Sequence, residues 1–238
     1  MNNLPVPKFG GESYNNQEPK CLVTLVLDTS FSMEKDPILS LNEGLIQFSE
    51  WVKRDPVARK RIEVGIITFD SEVRCIQEPA LVDDFVMPTL VVKGTTKMAD
   101  GIKAAINFTE ARKDWYKKNK LDYYRPFVIL ITDGQPDSDQ DMVAIAADIQ
   151  IGGQGRHFVF MPIGIPTGYD PKLLKDISQP EYPPLPMNWE DFGKFFKWLS
   201  KSMGSVSKSA KDAETTFENP DWISKTGWSG GSFSQKPI

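Results

Sequence analysis

Short apolar runs alternate along the chain with longer stretches in which apolar residues recur at helical spacing. A short, bounded apolar run is typical of a strand that is buried on both faces of a sheet. The helical spacing is typical of a helix that buries one side and exposes the other. The runs predict strands at residues 22–27, 64–69, 127–131 and 157–163.

Helices are predicted wherever the wider spacing occurs. The first begins at Asp36, a predicted N-cap that is followed by Pro37. A long helix begins after Gly94-Thr95-Thr96, and its far end is basic, which suits a helix C-terminus. The remaining helical stretches are 139–151, 171–177 and 189–202.

One further strand must run in the opposite direction to its neighbour. Residues 73–76 are separated from the strand at 64–69 only by the tight turn around Asp70-Ser71. That connection is too short for a parallel crossover, so the two strands must form an antiparallel hairpin. The whole pattern predicts an α/β fold: an open, doubly wound, mostly parallel sheet with one antiparallel edge strand and helices on both faces.

The composition changes near both ends of the chain. Residues 1–20 are polar and carry several Pro and Gly, and from 204 onward Ser, Lys, Gly and Pro dominate. We therefore expect a flexible leader at 1–20, one folded domain at 21–203, and a flexible or partly docked tail at 204–238. The leader lacks the apolar core of a signal peptide, and no apolar run is long enough to span a bilayer.

Charge and cysteine content narrow the function classes. The net charge is −4, from 28 basic and 32 acidic residues, which argues against nucleic-acid binding because that requires a basic face. Cys21 and Cys75 fit neither a disulfide framework nor a zinc-finger spacing. We therefore expect a cytoplasmic protein that has no nucleic-acid partner and no membrane partner.

Polar clusters stand at three points where predicted elements begin or end. Asp28, Ser30 and Ser32 come directly after the first strand, Thr96 lies at the head of the long helix, and Asp133 follows a later buried strand. Ligands of open α/β sheets bind at the carboxyl ends of strands, near the point where the strand order reverses. The five side chains are therefore predicted to form one site.

These side chains offer only oxygen atoms, from two carboxylates and three hydroxyls. Hard oxygen ligands suit Mg²⁺, with Mn²⁺ or Ca²⁺ as competitors. In the D-x-S-x-S run every second side chain can converge on one point, so Thr29 and Phe31 are not expected to bind the ion. Two carboxylates leave a dication with an open coordination position, which an Asp or Glu of a partner protein would complete.

The three clusters together resemble the von Willebrand factor type A domain over about residues 20–203. In that family such a set forms the metal-ion-dependent adhesion site, which implies that the predicted residues are the metal ligands. The segments VLDTSFSM, NEGL, ITFDSEV, ITDGQPDSD and FFKWLSKS look similar to bacterial TerY-type members of the family. Those members are linked to tellurium-resistance and stress-response gene clusters.

Three residues need interpretation beside this resemblance. Phe31 stands where Gly is common in the family, and it is either an exposed anchor for a partner or a plug folded onto the loop. Gly94-Thr95-Thr96 replaces the frequent Gly-Gly-Thr, so Thr96 is the expected ligand and Thr95 the alternative. Asp70 is interpreted as a turn residue, with support of the metal ligands as the other reading.

The resemblance implies a non-enzymatic, metal-dependent protein-interaction module of a bacterial cytoplasmic stress-response complex. Related gene clusters pair such domains with protein kinases and phosphatases, which are therefore the expected partners. Two alternatives stay open: a Mg²⁺-dependent hydrolase or phosphatase, and a scaffold that has lost metal binding. Against the hydrolase, the sequence places no histidine near the site and contains no G-x-x-x-x-G-K-[ST] phosphate loop.

Overall fold

A computed structural model describes residues 4–7, 9 and 16–208. Within these residues six strands form one sheet in the order β3-β2-β1-β4-β5-β6. Neighbouring strands are parallel except β2 and β3, which form the predicted antiparallel hairpin. The strands are β1 Cys21–Asp28, β2 Ile62–Phe69, β3 Val73–Leu81, β4 Phe127–Thr132, β5 Val159–Gly164 and β6 Leu185–Pro186.

Six α-helices accompany the sheet in the described part of the chain. They are α1 Asp36–Arg54, α2 Ala58–Arg61, α3 Met98–Lys118, α4 Met142–Gln154, α5 Pro171–Asp176 and α6 Phe192–Lys208. Helices α1 and α6 pack on one face of the sheet, and α3, α4 and α5 pack on the other. The predicted doubly wound α/β fold with helices on both faces is therefore confirmed.

The central strands are buried along their whole length, which explains why their sequences are continuous apolar runs. Successive side chains of a strand point to opposite faces. In β1, Leu25 and Leu27 accordingly join the core beneath α1 and α6, while Val26 joins the core beneath α3. Burial of each such side chain contributes roughly 1.5–3 kcal/mol to the free energy of unfolding. Because side chains on both faces of β1 are buried, packing from both sides fixes the position of the strand.

Several element boundaries differ from the prediction. Lys35, with a φ of 72°, precedes α1, so Asp36 is not its N-cap. Strand β3 extends to Leu81, beyond the predicted 73–76, and β5 begins at Val159. Helix α6 continues to Lys208, past the predicted domain boundary at 203, because its apolar stripe stays in the core to that point.

Parts of the predicted leader lie against the domain. The ring of Phe9 meets that of Phe108 edge-on, with centroids 6.4 Å apart. The backbones of Lys20 and Tyr123 form an isolated parallel β-bridge. The predicted tail beyond residue 208, with Trp222 and Trp228, lies outside the described residues. None of the described helices is long and apolar enough to cross a membrane.

Candidate metal centre

The predicted ligands meet at the carboxyl ends of β1 and β4, the two central strands of the sheet. The chain leaves β1 toward α1 on one face of the sheet and leaves β4 toward α4 on the other face. Such divergent connections open a crevice between the strand ends, and ligands of open α/β folds bind there.

Asp28 is the last residue of β1, and its side chain is fully buried. Its Oδ1 atom accepts a hydrogen bond of 2.8 Å from the backbone N–H of Ser30. Its Oδ2 atom accepts one of 2.6 Å from the hydroxyl of Thr132, the last residue of β4. Both carboxylate oxygens of Asp28 are thereby held in fixed directions at the junction of the central strands.

Ser32 connects the D-x-S-x-S loop with Asp133. The hydroxyl oxygens of Ser30 and Ser32 lie 3.0 Å apart, and the Ser32 hydroxyl donates to Asp133 Oδ1 over 2.5 Å. The other carboxylate oxygen of Asp133 accepts a longer bond, of 3.3 Å, from Thr167. The loop after β1 and the loop after β4 are therefore in direct side-chain contact.

Gly134 marks the point on which three predicted ligands converge. A β-carbon at this position would lie 3.5 Å from the Ser32 hydroxyl oxygen, 3.5 Å from that of Thr96 and 3.6 Å from Asp28 Oδ2. Three oxygens from two separate loops, the one after β1 and the one before α3, therefore surround one small space beside the Gly134 backbone. Because glycine has no side chain, that space stays open.

Thr96 and Thr95 have different neighbours. The Thr96 hydroxyl faces the space beside Gly134, whereas the Thr95 hydroxyl donates to Asp137 Oδ2 over 2.6 Å. The other oxygen of Asp137 accepts a bond of 3.1 Å from the backbone N–H of Thr96. The geometry thus favours Thr96 over Thr95 for the predicted ligand role. Asp137 fixes the loop before α3 by accepting hydrogen bonds from both threonines.

Burial changes the acidity of both carboxyl groups. Desolvation raises the pKa of Asp28 to about 6, although hydrogen bonds from Ser30 and Thr132 act in the opposite direction. Desolvation also raises the pKa of Asp133. Among the described residues, no Lys, Arg or His forms an ion pair with either group. A positive charge from outside the chain would relieve this cost.

The donor set fits a hard divalent cation. Carboxylate and hydroxyl oxygens are the ligands that Mg²⁺, Mn²⁺ and Ca²⁺ accept. The described residues contain no group of three or more His, Cys, Asp or Glu side chains that could hold a metal ion, and the candidate centre has only two such side chains, Asp28 and Asp133. Cys21 is buried, Cys75 is half-buried, and both thiols are free.

One supporting residue, Thr132, is not predicted by the sequence, whereas Asp70 is predicted with two readings. The register between β1 and β4 places Leu27 beside Ile131, so Asp28 and Thr132 are the next pair. The contact between Asp28 and Thr132 depends on this register, which the sequence does not reveal. Asp70 is buried in the turn after β2, and its carboxylate accepts a bond of 3.1 Å from Thr29. Both readings of Asp70, as turn residue and as support for the loop, agree with its position.

Phe31 and His157 lie in contrasting places. Phe31 is 68% exposed in a short 3₁₀ turn, so it does not fold onto the loop as a plug. His157 precedes β5, at the end of the sheet away from Asp28, and its exposed imidazole lies 3.9 Å from Glu110. The only histidine of the chain is therefore remote from the candidate centre.

Solved structures of low sequence identity share this fold. The chain matches a pilus adhesin, SpaC from Lactobacillus rhamnosus GG, with a TM-score of 0.64 at 13% identity, covering 79% of this chain and 31% of that one. It matches the vWF domain of the type V pili tip protein Mfa5 from Porphyromonas gingivalis with a TM-score of 0.58 at 10% identity, covering 82% and 99%.

A third structure is proximal thread matrix protein 1 from the mussel byssus with a zinc-occupied MIDAS motif. The match has a TM-score of 0.50 at 18% identity and covers 78% of this chain and 46% of that one. The chain thus spans less than half of the adhesin and of the byssus protein.

The comparison with family models gives the assignment. No curated protein matches the chain. The family model described as the von Willebrand factor type A domain matches residues 23–197, which is most of the chain and includes all five predicted ligands. This protein therefore belongs to the von Willebrand factor type A domain family.

Proposed function

We propose that this protein is a metal-dependent protein-interaction module that binds an Asp or Glu side chain of a partner protein. A divalent cation, Mg²⁺ in the first place, would supply the coordination position for that carboxylate. The residues proposed to hold the cation are Asp28, Ser30, Ser32, Thr96 and Asp133.

One observation carries the proposal: oxygens of Asp28, Ser32 and Thr96, from two separate loops, converge beside Gly134, and no basic side chain of the described residues neutralises the buried carboxylates of Asp28 and Asp133. A structural cluster of carboxylates would be expected to include a basic side chain, because buried charge is costly without a partner. Solved relatives that are pilus adhesins and a matrix protein agree with an interaction role for this fold.

We further propose a non-enzymatic role. Water activation by a metal centre needs a general base within hydrogen-bond reach of the water. In the described part of the chain, the nearby carboxylate of Asp137 already accepts from Thr95 and Thr96, and the single histidine is remote. The site therefore offers ligands and supports but no free base.

We propose a bacterial cytoplasmic stress-response complex of the tellurium-resistance type as the setting, with a protein kinase or phosphatase of the same gene cluster as the partner. The support is the similarity of the segments around the site to TerY-type sequences, above all VLDTSFSM and ITDGQPDSD. The exposed ring of Phe31 beside the site is suited to contact that partner, because aromatic side chains are frequent anchors of interfaces.

The decisive variant is Gly134→Ala. A methyl group here would make ordinary contacts of 3.5–3.6 Å, so the fold should persist, but it would fill the space on which the ligand oxygens converge. We expect isothermal titration to detect Mg²⁺ and Mn²⁺ binding by the wild type and a loss of at least about tenfold in the variant. Affinity capture of the gene-cluster kinase or phosphatase should require Mg²⁺, cease in EDTA, and fail with this variant.

Gly204→Ala is the matched control. It is the same chemical change with the same clearance, since a β-carbon there would lie 3.5 Å from Asp55 Oδ2, but it lies in α6, far along the chain from the ligands. This control should bind cation and partner as the wild type does. The proposal is wrong if the wild type shows neither heat nor a thermal shift with Mg²⁺ and Mn²⁺, or if capture survives both EDTA and Asp28→Ala.

A further inference from the structure

The turn between β2 and β3, residues 70–72, touches two of the three loops that carry the predicted ligands. Thr29 of the D-x-S-x-S loop donates a hydrogen bond to this turn, and so do Thr95 and Lys97 of the loop before α3. The sequence leaves two readings of its Asp70 open, a turn residue and a support of the metal ligands. Its hydrogen bonds connect the site's separate parts.

Asp70 makes the contact with the first loop. Its Oδ2 atom accepts from the Thr29 hydroxyl over 3.1 Å and from Arg74 over 2.7 Å. Its Oδ1 atom accepts from the backbone N–H of Glu72 over 3.0 Å. Thr29 lies between Asp28 and Ser30, and its own N–H donates to the Phe69 carbonyl, so its side chain points away from the ligands and into this turn.

The same turn holds the second loop. The carbonyl of Asp70 accepts from the N–H of Lys97 over 2.9 Å, next to Thr96. The hydroxyl of Ser71 accepts from the N–H of Thr95 over 2.9 Å. Gly94 has a φ of +62°, and a β-carbon there would lie 2.1 Å from the Ser71 hydroxyl, so only glycine allows this approach.

Asp70 cannot itself be a ligand in this arrangement, because both of its carboxylate oxygens are engaged by the turn, Thr29 and Arg74. Arg74 also neutralises its charge, so Asp70 adds little to the repulsion between Asp28 and Asp133. A buried, neutralised carboxylate that contacts the residue between two ligands is suited to fix the directions of those ligands.

We propose that Asp70 is a positioning residue of the metal centre, acting through Thr29 on Asp28 and Ser30. The inference rests on the proposed function, because it concerns affinity for the same cation. Replacement of Asp70 removes none of the ligand side chains. It allows the D-x-S-x-S loop to adopt orientations in which those side chains do not bind the cation. The expected effect is therefore on cation affinity.

The test uses Mn²⁺ alone as the probe, with binding followed by isothermal titration and by electron paramagnetic resonance of the free ion. Asp70→Ala should lower the Mn²⁺ affinity by about tenfold or more, as is common for residues that orient metal ligands. Asp70→Asn keeps the side-chain volume, and its Mn²⁺ affinity should lie between that of Asp70→Ala and that of the wild type. It replaces Asp70→Ala in the test if the alanine variant does not fold. Glu72→Gln is the matched control, because Glu72 also pairs with Arg74 but is exposed and contacts no ligand loop through its side chain.

A double-mutant cycle separates positioning from a general loss of structure. Thr29→Val removes the hydroxyl that Asp70 accepts from, so Asp70→Ala with Thr29→Val should bind Mn²⁺ about as weakly as Asp70→Ala alone. Additive losses in the double variant, or an unchanged affinity of folded Asp70→Ala, would overturn the inference while the proposed function stands. A wild type that fails to bind Mn²⁺ would overturn the proposed function, and this inference with it.

Discussion

Two buried carboxylate sites occupy opposite ends of the same sheet. Glu63 lies near the start of β2, where it pairs with Leu22, and Asp28 lies at the far end of β1, where it pairs with Phe69. Glu63 accepts two bonds of 2.8 Å from the Arg112 guanidinium and one of 2.5 Å from the Tyr116 hydroxyl. Asp28 accepts from the backbone N–H of Ser30 and from the Thr132 hydroxyl, and no basic side chain of the described residues pairs with it.

The difference lies in the source of the positive charge. At Glu63 the positive charge comes from Arg112 of the same chain. The guanidinium of Arg112 also packs over the ring of Trp115, 4.2 Å from its centroid. At Asp28 and Asp133 two acidic groups meet with hydroxyls around them. The Glu63 cluster therefore has its counter-charge within the fold, whereas the Asp28 site has none among the described residues, which agrees with our proposal that a cation binds there.

Loss of Arg112 should have the largest effect on stability. Arg112→Ala leaves Glu63 buried without its counter-charge, which we expect to cost about 3–5 kcal/mol in the free energy of unfolding. Urea denaturation, with and without Mg²⁺, measures this cost, and the cation should not restore it. Lys117→Ala, an exposed change on the same helix, is the control and should stay within about 0.5 kcal/mol. A loss below about 1 kcal/mol in Arg112→Ala would remove the contrast between the two sites.

The pH dependence of the metal-free protein tests the Asp28 side of the comparison. The pKa of Asp28 is about 6 when folded and 3.8 in its ordinary state, so between these values the folded protein holds a proton that the unfolded chain has released. The free energy of unfolding should therefore fall as the pH rises from about 4 to about 6, by roughly 3 kcal/mol from this group. Denaturation after removal of metal, repeated across this window, should show that slope in the wild type and lack it in Asp28→Asn. Equal slopes in both would show that Asp28 carries no such cost.

A smaller effect of unusual sign is expected at neutral pH. Asp28→Asn removes a buried charge but keeps polar atoms next to Ser30 and Thr132, so the metal-free variant should be about 1–2 kcal/mol more stable than the wild type at pH 7. The same variant should lose cation binding. Thermal unfolding in EDTA measures the first result and titration with Mg²⁺ the second. Glu63→Gln is the counterpart at the other end of the sheet, and it should destabilise the protein.

Much of the fold could be predicted from the sequence because its strands and helices bury themselves in recognisable ways. The strand β1 is apolar throughout since both of its faces are covered, and the α6 stripe follows helical spacing. The end of α6 was placed too early because Gly204 and its serine neighbours suggested a tail. Met203 and Val206 in fact continue the buried stripe.

The candidate site residues could be predicted where they stand together in one loop or at the ends of predicted strands and helices. The spacing of Asp28, Ser30 and Ser32 places them in one loop, and the order of the elements brings Thr96 and Asp133 to the same edge of the sheet. The contacts of Thr132 depend on the register between β1 and β4, and those of Asp70 on how a distant turn packs against Thr29. Neither relationship is contained in a run of neighbouring residues.

The wide separation of the site's parts along the chain bears on the order of folding. The bond between Ser32 and Asp133 joins residues 101 positions apart, and that between Asp28 and Thr132 joins residues 104 positions apart. Closing a loop of this length costs chain entropy, so we expect these contacts to form after the local ones. A partly folded chain would have its first aspartate and serines without their partners on β4. On the proposed function, only molecules that have finished assembling the sheet would bind a partner's acidic side chain.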